Sequence, residues 1–206
     1  MLRTIRFGEA DIIAHLYTRD LGRLNVIAKG ARRTKSRLGA RLEPFFVTQV
    51  MLRRSKLGGE GGLRNVQSVD VLSAHDQIRA SWTLQSAGAG ALDLLGRLSE
   101  EGVANEPAYH LTVRLLAQLD DVAAPDPVHV SALVGAWELK LLHLAGLAPQ
   151  LGVCVRCGGE TNLTHVSSED GGVACLECSL PRDRALDPGV LDAAIWLMRS
   201  SLPAVA

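Results

Sequence analysis

Residues 11–29 read DIIAHLYTRDLGRLNVIAK, and this stretch decides the fold of the N-terminal part of the chain. In its second half, every second side chain from Leu24 to Ala28 is apolar, which is the period of a half-buried strand. Its first half, residues 11–18, is rich in β-branched and aromatic residues, and residues 19–22 supply turn chemistry. The stretch therefore predicts a β-hairpin.

Two further runs continue the strand pattern. One covers residues 45–53, directly after Pro44, and the other covers residues 63–71. A glycine-rich segment at residues 58–62 separates them and predicts a flexible hairpin tip. Four or five short strands with irregular loops are typical of a small barrel. We therefore expect an α+β fold whose first domain, residues 1–70, is a small β-barrel.

After residue 71 the apolar residues take up the period of helices. They recur at helical spacing over residues 84–98 and again over residues 109–119. Asp126-Pro127 is a typical helix start, since Asp accepts an N–H as the N-cap and Pro has no N–H to leave unpaired. Asp187-Pro188 repeats this signal near the end of the chain. We expect residues 71–206 to form a helical domain.

All four cysteines lie in a polar, glycine-rich insert at residues 150–181 of this helical domain. They form two C-x-x-C pairs separated by 17 residues: Cys154, Cys157, Cys175 and Cys178. Each pair offers two thiolates from one tight turn, and zinc prefers four such ligands in a tetrahedron. The spacing predicts one Zn²⁺ per chain in a zinc ribbon or knuckle.

Other interpretations of the cysteines are disfavoured. Disulfides are rare in a reducing compartment, and a thioredoxin-like redox site needs a βαβ unit beside its C-x-x-C. A zinc deaminase needs a His-x-Glu motif, which the sequence does not contain, and His165 between the pairs is more simply a surface residue. Four thiolates leave no open coordination position, so we expect the zinc to be structural.

The charge of the chain is divided between its two ends, although the net charge is zero. Residues 1–66 contain 14 Lys and Arg against five Asp and Glu, a net charge of +9. The remaining residues contain eight basic and 17 acidic residues, a net charge of −9. Such asymmetry favours a polyanion-binding end joined to a separate body. Chance segregation of charges on solvated surfaces is the alternative.

The densest group of cations follows the predicted hairpin. Residues 29–41 contain six basic residues and no acidic residue: Lys29, Arg32, Arg33, Lys35, Arg37 and Arg41. Lys and Arg on a small-residue loop bind phosphates, and such contacts give affinity without reading sequence. We therefore predict that these six residues bind nucleic acid. The plain alternative is a solvated loop.

The aromatic residues of the basic half are Phe7, Tyr17, Phe45 and Phe46. Some of them could stack on bases, as in single-strand binders, but we expect Phe45 or Phe46 to fill the core.

Several function classes are disfavoured by the sequence. It has neither a transmembrane-length apolar run nor, over residues 1–11, the apolar core of a signal peptide, so we expect a cytoplasmic protein. No catalytic constellation such as G-x-S-x-G is present, and Asp120-Asp121 is expected to be a solvated helix end. A non-enzymatic accessory protein is therefore expected.

Several motifs together resemble the bacterial RecO family of recombination mediators. In the N-terminal part they are Gly8-Glu9-Ala10-Asp11, the hairpin from Thr18 to Gly22, Ala28-Lys29-Gly30-Ala31-Arg32-Arg33 with Ser36, and Leu42-Glu43-Pro44-Phe45. Further on, Leu144-Ala145-Gly146-Leu147-Ala148-Pro149 precedes the first C-x-x-C pair, as it does in that family. The resemblance covers nearly the whole chain, and the Lys-Gly-Ala-Arg-Arg segment is its most specific part.

This resemblance implies an OB-fold at the N-terminus, a helical domain and a zinc-binding insert. It also implies that the protein binds single- and double-stranded DNA and anneals complementary strands. RecR and the single-strand-binding protein are the implied partners, through which recombinase is loaded on coated DNA at the nucleoid. A zinc-ribbon factor that binds RNA in transcription or translation is the alternative, and a metalloenzyme is the third interpretation.

Overall fold

The structure is a computed structural model, and it describes residues 1–53 and 63–205. The predicted hairpin tip at residues 58–62 lies outside the described residues. The chain divides into two units, Met1–Val130 and Ser131–Ala206. The strands are β1 (Arg3–Phe7), β2 (Asp11–Thr18), β3 (Gly22–Ala28), β4 (Val47–Leu52), β5 (Arg64–Ser73), β6 (Leu163–Ser167), β7 (Gly172–Cys175) and β8 (Arg184–Ala185). The α-helices are α1 (Asp76–Ala80), α2 (Trp82–Leu98), α3 (Glu106–Asp120), α4 (Pro127–Leu144), α5 (Val190–Arg199) and α6 (Leu202–Val205).

The first unit is built on a five-stranded sheet with the order β1-β2-β3-β5-β4. Strands β2 and β3 pair antiparallel from Ile12↔Ala28 to Thr18↔Gly22, which confirms the predicted hairpin. Strands β3 and β5 are parallel and join through two residue pairs, Val26↔Arg64 and Ile27↔Asn65. The prediction of a mixed α+β chain with an N-terminal sheet and a helical C-terminal part is confirmed.

The predicted closed barrel is wrong for the part of the chain that the structure describes. Closure requires a hydrogen-bonded ladder between the two edge strands of a sheet. Here the edges are β1 and β4, and no ladder joins them within residues 1–53 and 63–205. The alternating pattern of the sequence fixes which face of a strand is buried, but it does not determine whether distant edges meet.

The inner face of this sheet forms the core of the first unit. Leu24, Val26 and Ala28 of β3 are buried, as the alternation predicts. The cluster is completed by residues of β2, of β5 and of the segment between β3 and β4: Ala14, Leu16, Ala31, Leu42, Val66 and Val69. Phe45 and Phe46 are both buried, which confirms their predicted core role. The core therefore extends into the basic segment itself.

The helices of the first unit begin at polar caps. The Ser81 side chain accepts a hydrogen bond from the Leu84 N–H at the start of α2, and Asn105 Oδ1 accepts from the Ala108 N–H at the start of α3. Asp120 Oδ1 accepts hydrogen bonds from the Gln77 and Ile78 N–H groups at 2.8 and 3.1 Å. The expectation that Asp120 is merely solvated is therefore wrong, because it caps the N-terminus of α1.

The second unit combines helices with a three-stranded sheet of order β7-β6-β8. As predicted, Asp126 caps α4: its Oδ2 accepts from the His129 N–H at 3.1 Å. The last helical start is predicted two residues too early, because α5 begins at Val190 with Gly189 (φ 82°) as its N-cap. Among the described residues, no helix is both long enough and apolar enough to cross a bilayer.

Candidate metal centre and nucleic-acid interface

The structure brings the four cysteines of the second unit together. Their sulfur atoms all lie within 4.8 Å of one another, and the Cys157 and Cys175 sulfurs are 3.8 Å apart. Four sulfurs placed tetrahedrally at about 2.3 Å from a zinc ion would be about 3.8 Å apart. All four cysteines are free, so no disulfide competes for them. The cluster could hold a metal ion.

Backbone turns position these sulfurs. The Gly158 N–H donates to the Cys154 carbonyl and the Cys154 N–H donates to the Gly159 carbonyl, which closes the first C-x-x-C turn. Gly158 has φ 77°, in the left-handed region that favours glycine. The Val155 N–H donates to the Val173 carbonyl, so this turn is fixed to β7, which ends at Cys175. The two pairs therefore meet through the sheet.

The electrostatics of the cluster fit a divalent cation. The backbone N–H groups of Cys175, Cys157 and Arg156 stabilise the Cys154 thiolate and lower the pKa of Cys154 to about 6. Hydrogen bonds to the Cys175 and Cys157 side chains raise the pKa of Cys178 to about 12. Without a cation, the lowered pKa of Cys154 favours its thiolate, whereas the raised pKa of Cys178 makes its thiol resist ionisation. A bound metal ion removes that resistance, because thiolate is the ligand form.

Arg156, inside the first C-x-x-C pair, organises the surrounding loops. Its guanidinium donates to Asp183 at 2.5 Å, to Asp170 at 2.6 Å and to the Cys178 carbonyl at 2.7 Å. The Asp183 side chain is 1% exposed. Arg156 and the Leu180 N–H hold the pKa of the Asp183 carboxyl well below its usual range. This network ties both cysteine pairs to the loop before β8.

Sequence reasoning missed these partners of Arg156. A basic residue inside a C-x-x-C pair and two aspartates 14 and 27 residues away carry no local signal that links them. The glycine-rich turn at residues 171–172 was the available hint, because it returns the chain towards the first pair.

The basic segment of the first unit presents its cations to solvent. Lys29, Arg32, Arg33, Lys35 and Arg37 are exposed, and none of them forms an ion pair with any carboxylate that the structure describes. Arg41 differs from these five, because it is half-buried. Its guanidinium donates to the Val69 carbonyl at 2.6 Å and to Asp70 at 3.3 Å.

Three contacts fix the backbone of this segment to the sheet. Asp11 Oδ1 accepts from the Gly30 N–H at 2.7 Å, and the Ala10 carbonyl accepts from the Arg32 N–H at 2.8 Å. Between them Ala31 is 4% exposed and packs in the core cluster. Gly39 passes so close that an added Cβ would lie 2.5 Å from the Ala31 carbonyl oxygen. The five exposed cations, which have no carboxylate partner in the described part of the chain, therefore lie on a loop that is fixed to the sheet and is named here the basic loop (residues 29–41).

The fold and these two features define a class of protein: an N-terminal sheet that carries a basic loop, followed by helices and a four-cysteine cluster. Residues 1–75 match the family model described as "Recombination protein O N terminal", and residues 79–206 match "Recombination protein O C terminal". The chain belongs to the RecO family of DNA repair proteins. The resemblance stated from the sequence is therefore confirmed.

Individual RecO proteins are similar to this chain over most of their length. The chain is 35% identical over 196 residues to "DNA repair protein RecO" of Streptomyces coelicolor, which covers 93% of this chain and 77% of that protein. It is 34% identical over 196 residues to the protein of the same name from Rubrobacter xylanophilus, with 93% and 75% covered. The corresponding protein of Alkaliphilus metalliredigens is 32% identical over 179 residues, with 86% and 69% covered.

Proposed function

We propose that this protein is a non-enzymatic recombination mediator that binds single- and double-stranded DNA and anneals complementary strands. With RecR, it would help to load recombinase on DNA coated with single-strand-binding protein, and it would act in the cytoplasm at the nucleoid. Residues 1–70 would be its OB-like DNA-binding domain and residues 71–206 its helical domain. The observation that carries this proposal is the basic loop, which is fixed to the sheet and has five exposed cations that lack a carboxylate partner in the described residues.

The loop accounts for DNA binding as follows. Lys29, Arg32, Arg33, Lys35 and Arg37 neutralise phosphates and release condensed counterions, which gives affinity for any sequence. Because none of these charges forms an ion pair with a carboxylate in the described ranges 1–53 and 63–205, no pair seen there must break before DNA binds. Arg41, which already contacts Val69 and Asp70, contributes less.

Annealing follows from the same charges. Two complementary strands repel each other through their phosphates, and a cationic surface that holds both reduces this repulsion. It also raises their local concentration, so pairing needs no nucleotide hydrolysis. The cations contact the backbone and leave base edges free to pair.

The first experiment measures annealing of two complementary fluorescent oligonucleotides without nucleotide, over a salt series. We expect acceleration that falls steeply with salt. The triple variant Arg32→Ala, Arg33→Ala, Lys35→Ala should bind unrelated sequences equally weakly. Its plot of log affinity against log salt for single strands should flatten by roughly 0.7 for each phosphate that is no longer neutralised.

A second triple variant controls for net charge alone. Arg19, Arg79 and Arg182 are exposed, and each pairs with a neighbouring or nearby carboxylate. Their substitution by Ala removes the same charge and should leave the slope close to that of the wild type. An unchanged slope in the first triple variant would refute the role of the loop. Tighter binding to RNA than to DNA would instead favour an RNA-binding factor.

The four cysteines would hold one structural Zn²⁺ per chain within an insert at residues 150–181. Their sulfurs are close enough to share one ion, and four thiolates complete a tetrahedral shell. Bound zinc would supply folding energy to the insert and no open position for substrate. Metal analysis after dialysis should find one zinc per chain, and a chain without metal would contradict the assignment.

A further inference from the structure

The outer face of the first unit's sheet contains a cleft, and none of the residues that line it belongs to the basic loop. Its volume is about 870 Å³, and its walls are the strands β1–β3 on one side and α2 on the other. Ligand sites typically enclose about 300–1,000 Å³. The strand wall carries a cross-strand row in which Arg3 pairs with His15 and His15 pairs with Asn25.

This wall has hydrogen-bonding capacity that the described residues leave unused. Asn25 Nδ2 donates to Glu101 and Arg23 Nη1 donates to the Gly96 carbonyl, so both side chains are held in place. Yet the Asn25 Oδ1, Arg23 Nε and His15 Nε2 atoms are buried without a hydrogen-bond partner among the described residues. These three atoms have almost no accessible surface, and His15 and Asn25 are cross-strand neighbours, so the row forms a polar layer beneath the surface of the cleft.

The rest of the cleft supplies a flat aromatic surface and positive charge. Trp82, the first residue of α2, is 81% exposed beside it, which is unusual for an indole. Among the described residues, the guanidinium groups of Arg3, Arg23 and Arg97 line the cleft together with the carboxylate of Asp93, and the Glu101 carboxylate lies behind Asn25. Asp93 is paired with Arg97 at 2.6 Å, whereas Arg3 has no carboxylate partner in the described ranges.

A path of exposed side chains connects this cleft with the basic loop. Ile5 and Phe7 share a face of β1 with Arg3 and are 45% and 50% exposed. At the end of β1 the Gly8 carbonyl accepts a hydrogen bond from Arg32 of the loop. The distance along β1 from Arg3 to Phe7 is about 14 Å at about 3.4 Å per residue. A single DNA strand that runs along β1 could therefore contact the basic loop through its phosphates and the cleft through a base.

We propose that the cleft is a subsite for unpaired nucleotides, in which a base stacks on Trp82. Arg3, which is exposed on the strand wall of the cleft, would contact its phosphate. A duplex cannot offer an unstacked base to a cleft, so this subsite favours single strands, whereas the basic loop binds both forms. The inference rests on the proposed DNA binding and adds strand selectivity to it.

The test compares Trp82→Ala with Trp196→Ala, which removes another exposed indole from the second unit. Affinities are measured for an oligo-dT strand and for a duplex of equal length. Base–aromatic stacking is worth about 1–3 kcal/mol per base, so Trp82→Ala should weaken single-strand binding by about 5- to 150-fold. Its duplex binding should stay within about twofold of the wild type. Trp82→Phe should restore most of the loss, and Trp196→Ala should change neither affinity.

A crosslinking experiment on the unaltered protein supplies independent evidence. Oligonucleotides that carry 5-iododeoxyuridine should crosslink to the peptide that contains Trp82. Wild-type single-strand affinity in Trp82→Ala, or an equal loss on single strands and duplex, would overturn the subsite. So would crosslinks confined to other peptides, or a cleft that binds an acidic peptide and not the strand. If the wild type binds no DNA at all, the proposed function itself fails, which is a distinguishable result.

Discussion

Two loop regions carry most of the chemistry of this molecule, and they use their arginines in opposite ways. In the basic loop, Arg32, Arg33 and Arg37 project into solvent and form no ion pair with the described carboxylates. In the cysteine region, Arg156 makes contacts to two aspartates, a serine and a backbone carbonyl. A free guanidinium is available to an external anion, whereas a saturated one holds the fold together. We therefore propose that the first region binds DNA and that the second stabilises the fold.

The largest effect that tests this difference should come from the metal ligands. Cys154→Ser removes a buried sulfur from the cluster, and we expect loss of bound zinc and of cooperative unfolding in the second unit. DNA affinity should fall far less, because the basic loop is fixed by contacts within its own unit. Zinc content, thermal unfolding by circular dichroism and DNA titration measure the three quantities. The matched variant Ser179→Ala should keep both zinc and unfolding temperature. A Cys154→Ser protein that retains zinc would contradict the four-sulfur site.

The next effect concerns the Arg156 network. Asp183→Asn should destabilise the second unit clearly, because it leaves a largely buried guanidinium without its main partner. Glu169→Gln breaks the exposed pair with Arg182 and should cost about 0–1 kcal/mol. Urea unfolding followed by tryptophan fluorescence compares the two variants. Equal stabilities would show that Arg156 is not the stabilising residue.

The Arg156–Asp183 ion pair should make the stability of the second unit depend on pH. The folded-state pKa of Asp183 lies below its ordinary value of 3.8, so the carboxylate stabilises the fold above that value. This stabilisation is lost as the pH falls from about 4 through the lower folded-state pKa. The stability difference between wild type and Asp183→Asn should therefore be full at about pH 7 and shrink below about pH 4. A difference that stays constant down to about pH 2 would exclude ionisation as its source.

A smaller effect should follow from the anchor of the basic loop. Asp11→Asn makes the region more positive, yet it weakens the carboxylate's contact with the Gly30 N–H. We expect lower DNA affinity, because the loop is less well pinned. Glu9→Gln removes the same charge from an exposed neighbour and should leave affinity equal or slightly higher. If both variants bind DNA more tightly, charge outweighs loop geometry.

The smallest effect separates two arginines of the predicted interface. Arg41→Ala should change the salt dependence of DNA binding less than Arg33→Ala, because Arg41 is engaged with Val69 and Asp70. Fluorescence anisotropy at several salt concentrations measures both slopes. Equal slopes would mean that Arg41 exchanges its internal contacts for a phosphate.

Local chemistry explains what the sequence could predict. The β2–β3 hairpin follows from side-chain alternation and a turn, and the proximity of four sulfurs follows from C-x-x-C spacing within one insert. The α4 start was also readable, because Asp126 caps its own helix through the N–H of His129, three residues away.

Other features depend on residues that are distant in sequence. The parallel pairing of β3 with β5, the cap that Asp120 provides to α1, and the partners of Arg156 join positions 14 to 43 residues apart. Local sequence patterns do not predict such contacts, because each residue fits the pattern of its own strand, helix or loop whether or not its distant partner is present. The cleft beside Trp82 could not be predicted from the sequence for the same reason, because its two walls, the strands β1–β3 and the helix α2, are distant in sequence.

The density of cations on the basic loop also affects the stability of the folded state. Five like charges held on one short, anchored segment repel one another, and this repulsion is largest in the native conformation. A polyanion that binds there relieves the repulsion and binds the folded chain more tightly than the unfolded one. By mass action, DNA that binds as proposed would stabilise the folded state, and the first unit would unfold at a higher temperature when DNA is bound. Added salt would offer a weaker version of the same relief, so the gain from DNA would shrink as ionic strength rises.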